Sequence, residues 1–204
     1  MLLQSKRIWV LNQWIEAQIE VCGESGKIEA ILPYGSAPAD MDFGELRVVP
    51  GFIDVHTHGA YGFDTNDAEE EGLRNWVQNI VGEGVTGFLP TTITQSEEVL
   101  TKALNNVAKV AREQRADRDS VPGAEILGIH LEGPYLSQKY KGAQPEEFCV
   151  APDLEQFKRY FDASEGLIRI VTLACENDEE YRLTRFLNEN GIVEIGRASC
   201  RERV

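Results

Sequence analysis

The 204-residue chain contains three histidines and four cysteines, and both scarcities narrow the chemistry open to it. The cysteines, at positions 22, 149, 175 and 200, form no CxxC pair and no regular spacing. That argues against a disulfide framework or a cysteine zinc site, and reduced thiols in a cytoplasmic protein are the expectation. No run approaches the ~20 apolar residues of a membrane span, and the N-terminal MLLQSKRIWV lacks a signal-peptide layout, so no membrane partner is expected. Positive charge is also in short supply: 20 Lys and Arg face 34 Asp and Glu, a net charge of −14. No basic stripe is left to neutralise phosphates, which argues against nucleic acid as a partner. An anionic small molecule would have to be met by a local cluster of donors, against the global field.

What is present is ordinary globular material, with 42% hydrophobic and 26% charged residues. Residues 7–32 read as short strands: RIWVLNQ and WIEAQIEV, then a turn at Gly23-Glu24-Ser25-Gly26, then KIEAIL. Ile15, Ala17, Ile19 and Val21 alternate as in a half-buried antiparallel strand. Residues 33–42 form a turn-rich connector, and Leu46 to Val49 returns to β character.

From Pro50 the rhythm becomes strand, helix, strand. PGFIDVHTH is a short apolar strand closed by Gly59. A helix follows with Leu73, Trp76, Val77, Ile80 and Val81 on one face, ended by Gly82 and Gly84. GVTGFLPTTIT is a second strand. Ser96 is placed to cap a helix that carries Val99, Leu100, Ala103, Leu104 and Val107. Ala124 to Leu131 reads as a third strand, with a long loop from Glu132 to about Ala151. Asp153 opens a helix with Leu154, Phe157, Tyr160 and Phe161 inward; LIRIVTLA is a fourth strand. A helix around Tyr181 to Asn190 stops at Gly191, and Ile192 and Val193 begin a fifth strand.

Repeated strand–helix units predict a parallel α/β architecture with right-handed crossovers. A doubly wound sheet would carry a Gly-rich phosphate turn after its first strand, where this chain has two histidines. Polar residues at the C-terminal ends of the first and third strands fit a (β/α)8 TIM barrel, whose sites lie there and which takes ~250 residues. The expectation is therefore a partial barrel over residues 50–194, its first four to five strands.

Side chains alternate along a strand, so Phe52, Asp54, His56 and His58 share a face. Two imidazoles projecting the same way at a strand end suit a divalent transition metal. A bare His-x-His is more often one packed and one surface histidine, but the Pro-Gly-Phe-Ile-Asp before it and the Gly after it favour ligands. In GIHLEGPYL, His130 and Glu132 again share a face, and Glu132 is a candidate metal ligand. Taken alone it could equally cap a helix or join a salt bridge. His130 lies one layer deeper: it either backs the ligands or contacts substrate, or it is a core histidine with its hydrogen bonds met. Zinc, iron, manganese and cobalt all suit such donors.

These segments carry a resemblance. PGFIDVHTHG resembles the opening strand of the amidohydrolase superfamily, and HLEGPYL with KYKGAQPEEF looks like its N-acetylglucosamine-6-phosphate deacetylase branch. VTLACE is similar to that branch's fourth-strand segment, with Cys175 where Pro is usual. The resemblance runs from Lys6 to Val193 and implies hydrolysis of the acetyl group from N-acetylglucosamine 6-phosphate, by water activated at one or two divalent ions. It implies Glu132 as principal ligand, His56 and His58 as holders of a second ion, and a sugar-contacting loop at Gly142, Ala143 and Gln144. Gln144 stands where His is common. It also implies further histidine ligands and a catalytic aspartate downstream, a homodimer for the full-length enzyme, and residues 1–49 as part of a small β-sandwich. The rival expectations are a dihydroorotase-like, deaminase-like or aminoacylase-like enzyme, or a non-catalytic half-barrel that needs a partner chain. Many two-metal relatives place a bridging lysine on the third or fourth strand; this chain has HLEGP.

The last ten residues, IGRASCRERV, match the translation of a common sequencing-adapter read-through. Residues 195–204 are accordingly expected to be non-native, with the natural sequence cut near Val193 or Glu194. A chain so divided is expected to be inactive and poorly folded, with exposed sheet edges that aggregate.

Overall fold

The computed structural model describes residues 1–196, and most of the expected foreign tail, 197–204, lies outside them. The chain divides into two compact units, Met1–Gly51 and Phe52–Val204.

In the first unit β1 (Leu2–Val10), β2 (Gln13–Val21) and β3 (Ile28–Pro33) pair antiparallel in sequence order. Short β4 (Met41–Asp42) and β5 (Arg47–Val48) run parallel to β1. Reading Arg7 to Gln13 as one strand is corrected here, because the chain reverses at Leu11 and Asn12, with φ of 45° and 64°. A two-residue hairpin with both central φ positive is normally signalled by Asn-Gly. With Leu in the first position the periodicity runs through the turn unmarked. Ile8, Ala17 and Ile19 form the small core. Gln18 breaks the alternation by being buried, and its amide is bonded to Gln4 Oε1 (2.7 Å) and to both backbone groups of Ala37.

The second unit alternates strands and helices. β6 (Phe52–Thr57) leads to a small hairpin, β7 (Gly59–Ala60) and β8 (Phe63–Asp64), and then α1 (Glu70–Asn79). Next come β9 (Val85–Pro90), α2 (Glu97–Ala116), β10 (Glu125–Ile126) and β11 (Ile129–Glu132). The unit ends with α3 (Leu154–Ala163), β12 (Ile168–Leu173), α4 (Arg182–Glu189) and β13 (Val193–Gly196). β6, β9 and β10 are parallel neighbours, as are β11, β12 and β13, and a parallel bridge from Thr91 to His130 links the two groups. The order is sequential, without the reversal of winding that marks a doubly wound sheet.

Two details depart from the sequence reading. The expected third strand breaks at Leu127-Gly128 into β10 and β11. A Cβ at Gly128 would meet the Leu167 carbonyl and the Arg169 side chain, so the backbones approach too closely there for any larger residue. Val81, placed on the buried face of α1, is exposed, because the helix tightens to 3-10 geometry from Ile80 to Glu83 and rotates it outward.

One core joins the strands to the helices. Trp76 of α1, Phe88 of β9, Leu104 of α2, Phe157 of α3, Val171 of β12 and Leu187 of α4 are all fully buried in it. Each such side chain contributes about 1.5–3 kcal/mol. Ser96 caps α2 through the Val99 N–H, and Asp153 caps α3 by accepting from Glu155 and Gln156 at 2.8 and 2.9 Å. Arg159 grips Glu97 with two nitrogens (2.6 and 3.2 Å), tying α3 to α2. Among the described residues no helix is long and apolar enough to cross a membrane.

Candidate metal centre

The alternation of β11 divides its labour. Ile129 and Leu131 enter the core, while His130 and Glu132 lie on the opposite face. β6 ends at Thr57, with His56 inside it and His58 just beyond. Glu132 Oε2 lies 3.5 Å from His56 Nε2 and 3.2 Å from His58 Nε2. One ligand atom from each of the three residues lies within 4.8 Å of the others.

Each backbone is pinned locally. The Thr57 N–H donates to Thr91 Oγ1 (3.0 Å), and the Thr91 N–H donates to the Thr57 carbonyl (2.9 Å). Beyond His58, Thr65 donates both its N–H and its hydroxyl to the His58 carbonyl, each at 2.8 Å. Glu132 donates its N–H to Thr92 Oγ1 (3.2 Å), and Thr92 donates its own N–H to the His130 carbonyl (3.1 Å). The Asp54 carboxylate accepts from the His56 N–H (3.0 Å). Thr91 and Thr92 had no role in the sequence reading; their signal was the Pro-Thr-Thr run at the C-terminal end of the second strand.

His58 Nδ1 lies 3.2 Å from the Thr91 carbonyl, an oxygen that can only accept, so Nδ1 carries a proton and Nε2 faces Glu132. Histidines that bind metals through Nε2 have this orientation. The hydrogen bond to Glu132, opposed by partial burial, raises the His58 pKa. A cation at this point would compete with a proton for His58 Nε2 and Glu132 Oε2. Buried Glu132, half-exposed His56 and partly buried His58 supply two nitrogens and a carboxylate, a donor set that fits a divalent transition metal.

His130 is 1% exposed, with both ring nitrogens engaged inside the chain: Nδ1 with the Val55 carbonyl (2.9 Å) and Nε2 with Thr172 Oγ1 (2.7 Å). Burial lowers its pKa, which favours the neutral ring. The Val55 carbonyl can only accept, so Nδ1 donates to it and Nε2 is left to accept the Thr172 hydroxyl proton. Its ring stands edge-on to His56, centroids 4.8 Å apart.

Gly142 and Ala143 are exposed on the loop after β11, and Gly142 has a φ of +65°. Gln144 is buried, and its Oε1 accepts the Thr94 N–H at 2.7 Å. Lys141 donates to the Gln144 carbonyl (3.2 Å). The loop starts at a cis Gly133-Pro134 bond.

The Amidohydrolase family model matches residues 47–178. The chain is 46% identical over 158 residues to the N-acetylglucosamine-6-phosphate deacetylase of Bacillus subtilis, covering 77% of this chain and 38% of that protein. It is 34% identical over 191 residues to the deacetylase of the same name from Vibrio furnissii, covering 93% and 46%. Among solved structures, that of the Mycobacterium smegmatis N-acetyl-D-glucosamine-6-phosphate deacetylase matches with a TM-score of 0.80 and 31% identity, over 96% of this chain and 53% of the other. The chain thus spans less than half the length of these two curated relatives.

Proposed function

Because the chain belongs to the amidohydrolase family, we propose that its site serves the hydrolysis of N-acetylglucosamine 6-phosphate to glucosamine 6-phosphate and acetate. The observation that carries this reading is the placement of Glu132 Oε2 within 3.5 Å of both His56 and His58 Nε2. His56, His58 and Glu132 hold one or two divalent ions. Such an ion supplies Lewis-acid polarisation of the acetamide carbonyl and lowers the pKa of attacking water toward neutrality.

The chain's own residues bind and orient. Glu132 brings negative charge that offsets the cation, and the Thr91 carbonyl holds His58 with Nε2 inward. Gly142, Ala143 and Gln144 face the sugar, with Gln144 anchored through the Thr94 N–H. The acid–base aspartate that the resemblance implies is not assigned to any residue of this chain. Residues 50–194 are read as the first four to five strands of a (β/α)8 barrel and 1–49 as part of a β-sandwich, in an enzyme that works as a homodimer.

The test is a chimera in which residues 47–193 replace the matching segment of the Bacillus subtilis relative, assayed for acetate release. Turnover of N-acetylglucosamine 6-phosphate should exceed that of the galactose epimer, the substrate named for an Escherichia coli relative that is 31% identical. Glu132→Gln should lower kcat by roughly two orders of magnitude or more. A folded, metal-loaded chimera that releases no acetate would refute the reading, and a preference for the epimer would reassign the substrate.

A further inference from the structure

His130 and Thr172 belong to no candidate ligand set, yet they join the two strands that carry one. In the sheet order β9 stands between β6 and β11. The His130 ring nevertheless reaches the Val55 carbonyl, one residue before His56. Its other nitrogen takes the hydroxyl proton of Thr172, on β12. Thr172 also accepts the Gly133 N–H through its carbonyl (3.3 Å). Glu132 therefore sits between two residues, His130 and Gly133, that are both bonded to Thr172. The imidazole is locked at both ends and stands edge-on against His56.

We propose that His130 and Thr172 are positioning residues that set the separation of His56 and Glu132, and so the affinity of the site for a divalent cation. This rests on the reading of His56, His58 and Glu132 as metal ligands. The hydroxyl proton of Thr172 fixes which His130 nitrogen donates. Without it the ring is free to rotate away from the Val55 carbonyl, and β6 loses a tie to β11 beside both ligands. Groups hydrogen-bonded behind metal ligands typically change metal affinity ~10–100-fold when removed; these two should act at the lower end, since they hold the ligands' strands rather than the ligands.

The experiment is calorimetric titration of the purified 204-residue chain with Zn²⁺ alone, comparing wild type, Thr172→Val and Thr172→Ser. Valine keeps the volume and removes the hydroxyl; serine restores it. The expected result is a loss of about tenfold in affinity for Thr172→Val and recovery to within about twofold for Thr172→Ser. Metal-free melting temperatures measured alongside separate positioning from stability, because a purely structural role would move the melting temperature and leave affinity unchanged. If Thr172→Val does not fold, His130→Asn makes the same comparison, since its amide can meet Val55 but cannot also reach Thr172. Equal affinity in a folded variant and wild type overturns the assignment while the metal reading stands. Failure of a wild-type chain, shown folded by its melting transition, to bind Zn²⁺ overturns the metal reading and the positioning role with it.

Discussion

Gly133, directly after Glu132, offers a sharp test of how tightly the site is built. Its φ of +78° lies in the left-handed region, where an alanine costs about 1–2 kcal/mol. An added Cβ would run into Thr94 Oγ1 and lie 3.0 and 3.2 Å from the Thr94 Cβ and Cα. Thr94 cannot swing aside: it is 1% exposed, and its N–H is held by Gln144 Oε1 at 2.7 Å. Overpacking of this kind adds about 1–3 kcal/mol, and the entropy that alanine removes from the unfolded chain returns about 0.4–1 kcal/mol. Gly133→Ala should therefore destabilise the second unit by about 1–5 kcal/mol and lower its melting temperature on the order of 10 °C. Urea unfolding followed by the emission of buried Trp76 reads this directly, since Trp9 and Trp14 are partly exposed and contribute a redder signal. Thr94→Ala removes the oxygen in the way, a buried hydroxyl without a hydrogen-bond partner, but leaves the backbone strain. In the double variant about half the loss should return, with a coupling energy of at least ~1 kcal/mol. A Gly133→Ala chain within ~0.5 kcal/mol of wild type, or strictly additive substitutions, would refute the geometry of this turn.

Other outcomes follow from the same structure. The His58 pKa is raised above its unfolded value, so its ion pair with Glu132 stabilises the metal-free chain fully below pH ~6.5 and is lost as pH rises through the raised value. The stability difference between wild type and His58→Asn, measured by urea unfolding without metal, should shrink from pH 6 to pH 8; a growing difference would contradict the assignment. Metal binding runs the other way, because the cation displaces the His58 proton: affinity should fall as pH drops below that same raised value, with proton release visible in calorimetry. Asp153→Ala removes two cap hydrogen bonds from α3 and should cost about 1 kcal/mol in urea unfolding.

The strand period made much of this site legible. Counting alternate positions put His56 with His58, and His130 with Glu132, because a strand's side chains must alternate whatever surrounds them. The helix caps were equally readable, since Ser96 and Asp153 act on backbone groups two or three residues away. Partners across the sheet were not. Parity puts His130 on the ligand face, but only tertiary structure shows both its nitrogens spent on Val55 and Thr172. Thr91, Thr92 and Thr172 read as ordinary strand formers, and their hydroxyls acquire meaning only from neighbours 34 to 42 positions away. The hairpin at Leu11-Asn12 was hidden for a different reason: Leu carries no turn signal, and its positive φ is imposed by the pairing of β1 with β2.

Whether His56, His58 and Glu132 together bind a divalent metal is decided by metal analysis of the purified 204-residue chain after dialysis against Zn²⁺. A folded wild-type chain should hold one or two ions, and the folded Glu132→Gln and His58→Asn variants should lose binding. A folded wild-type chain that retains no metal, or a folded His56→Asn/His58→Asn/Glu132→Gln chain that retains as much as wild type, would contradict metal binding at these three residues.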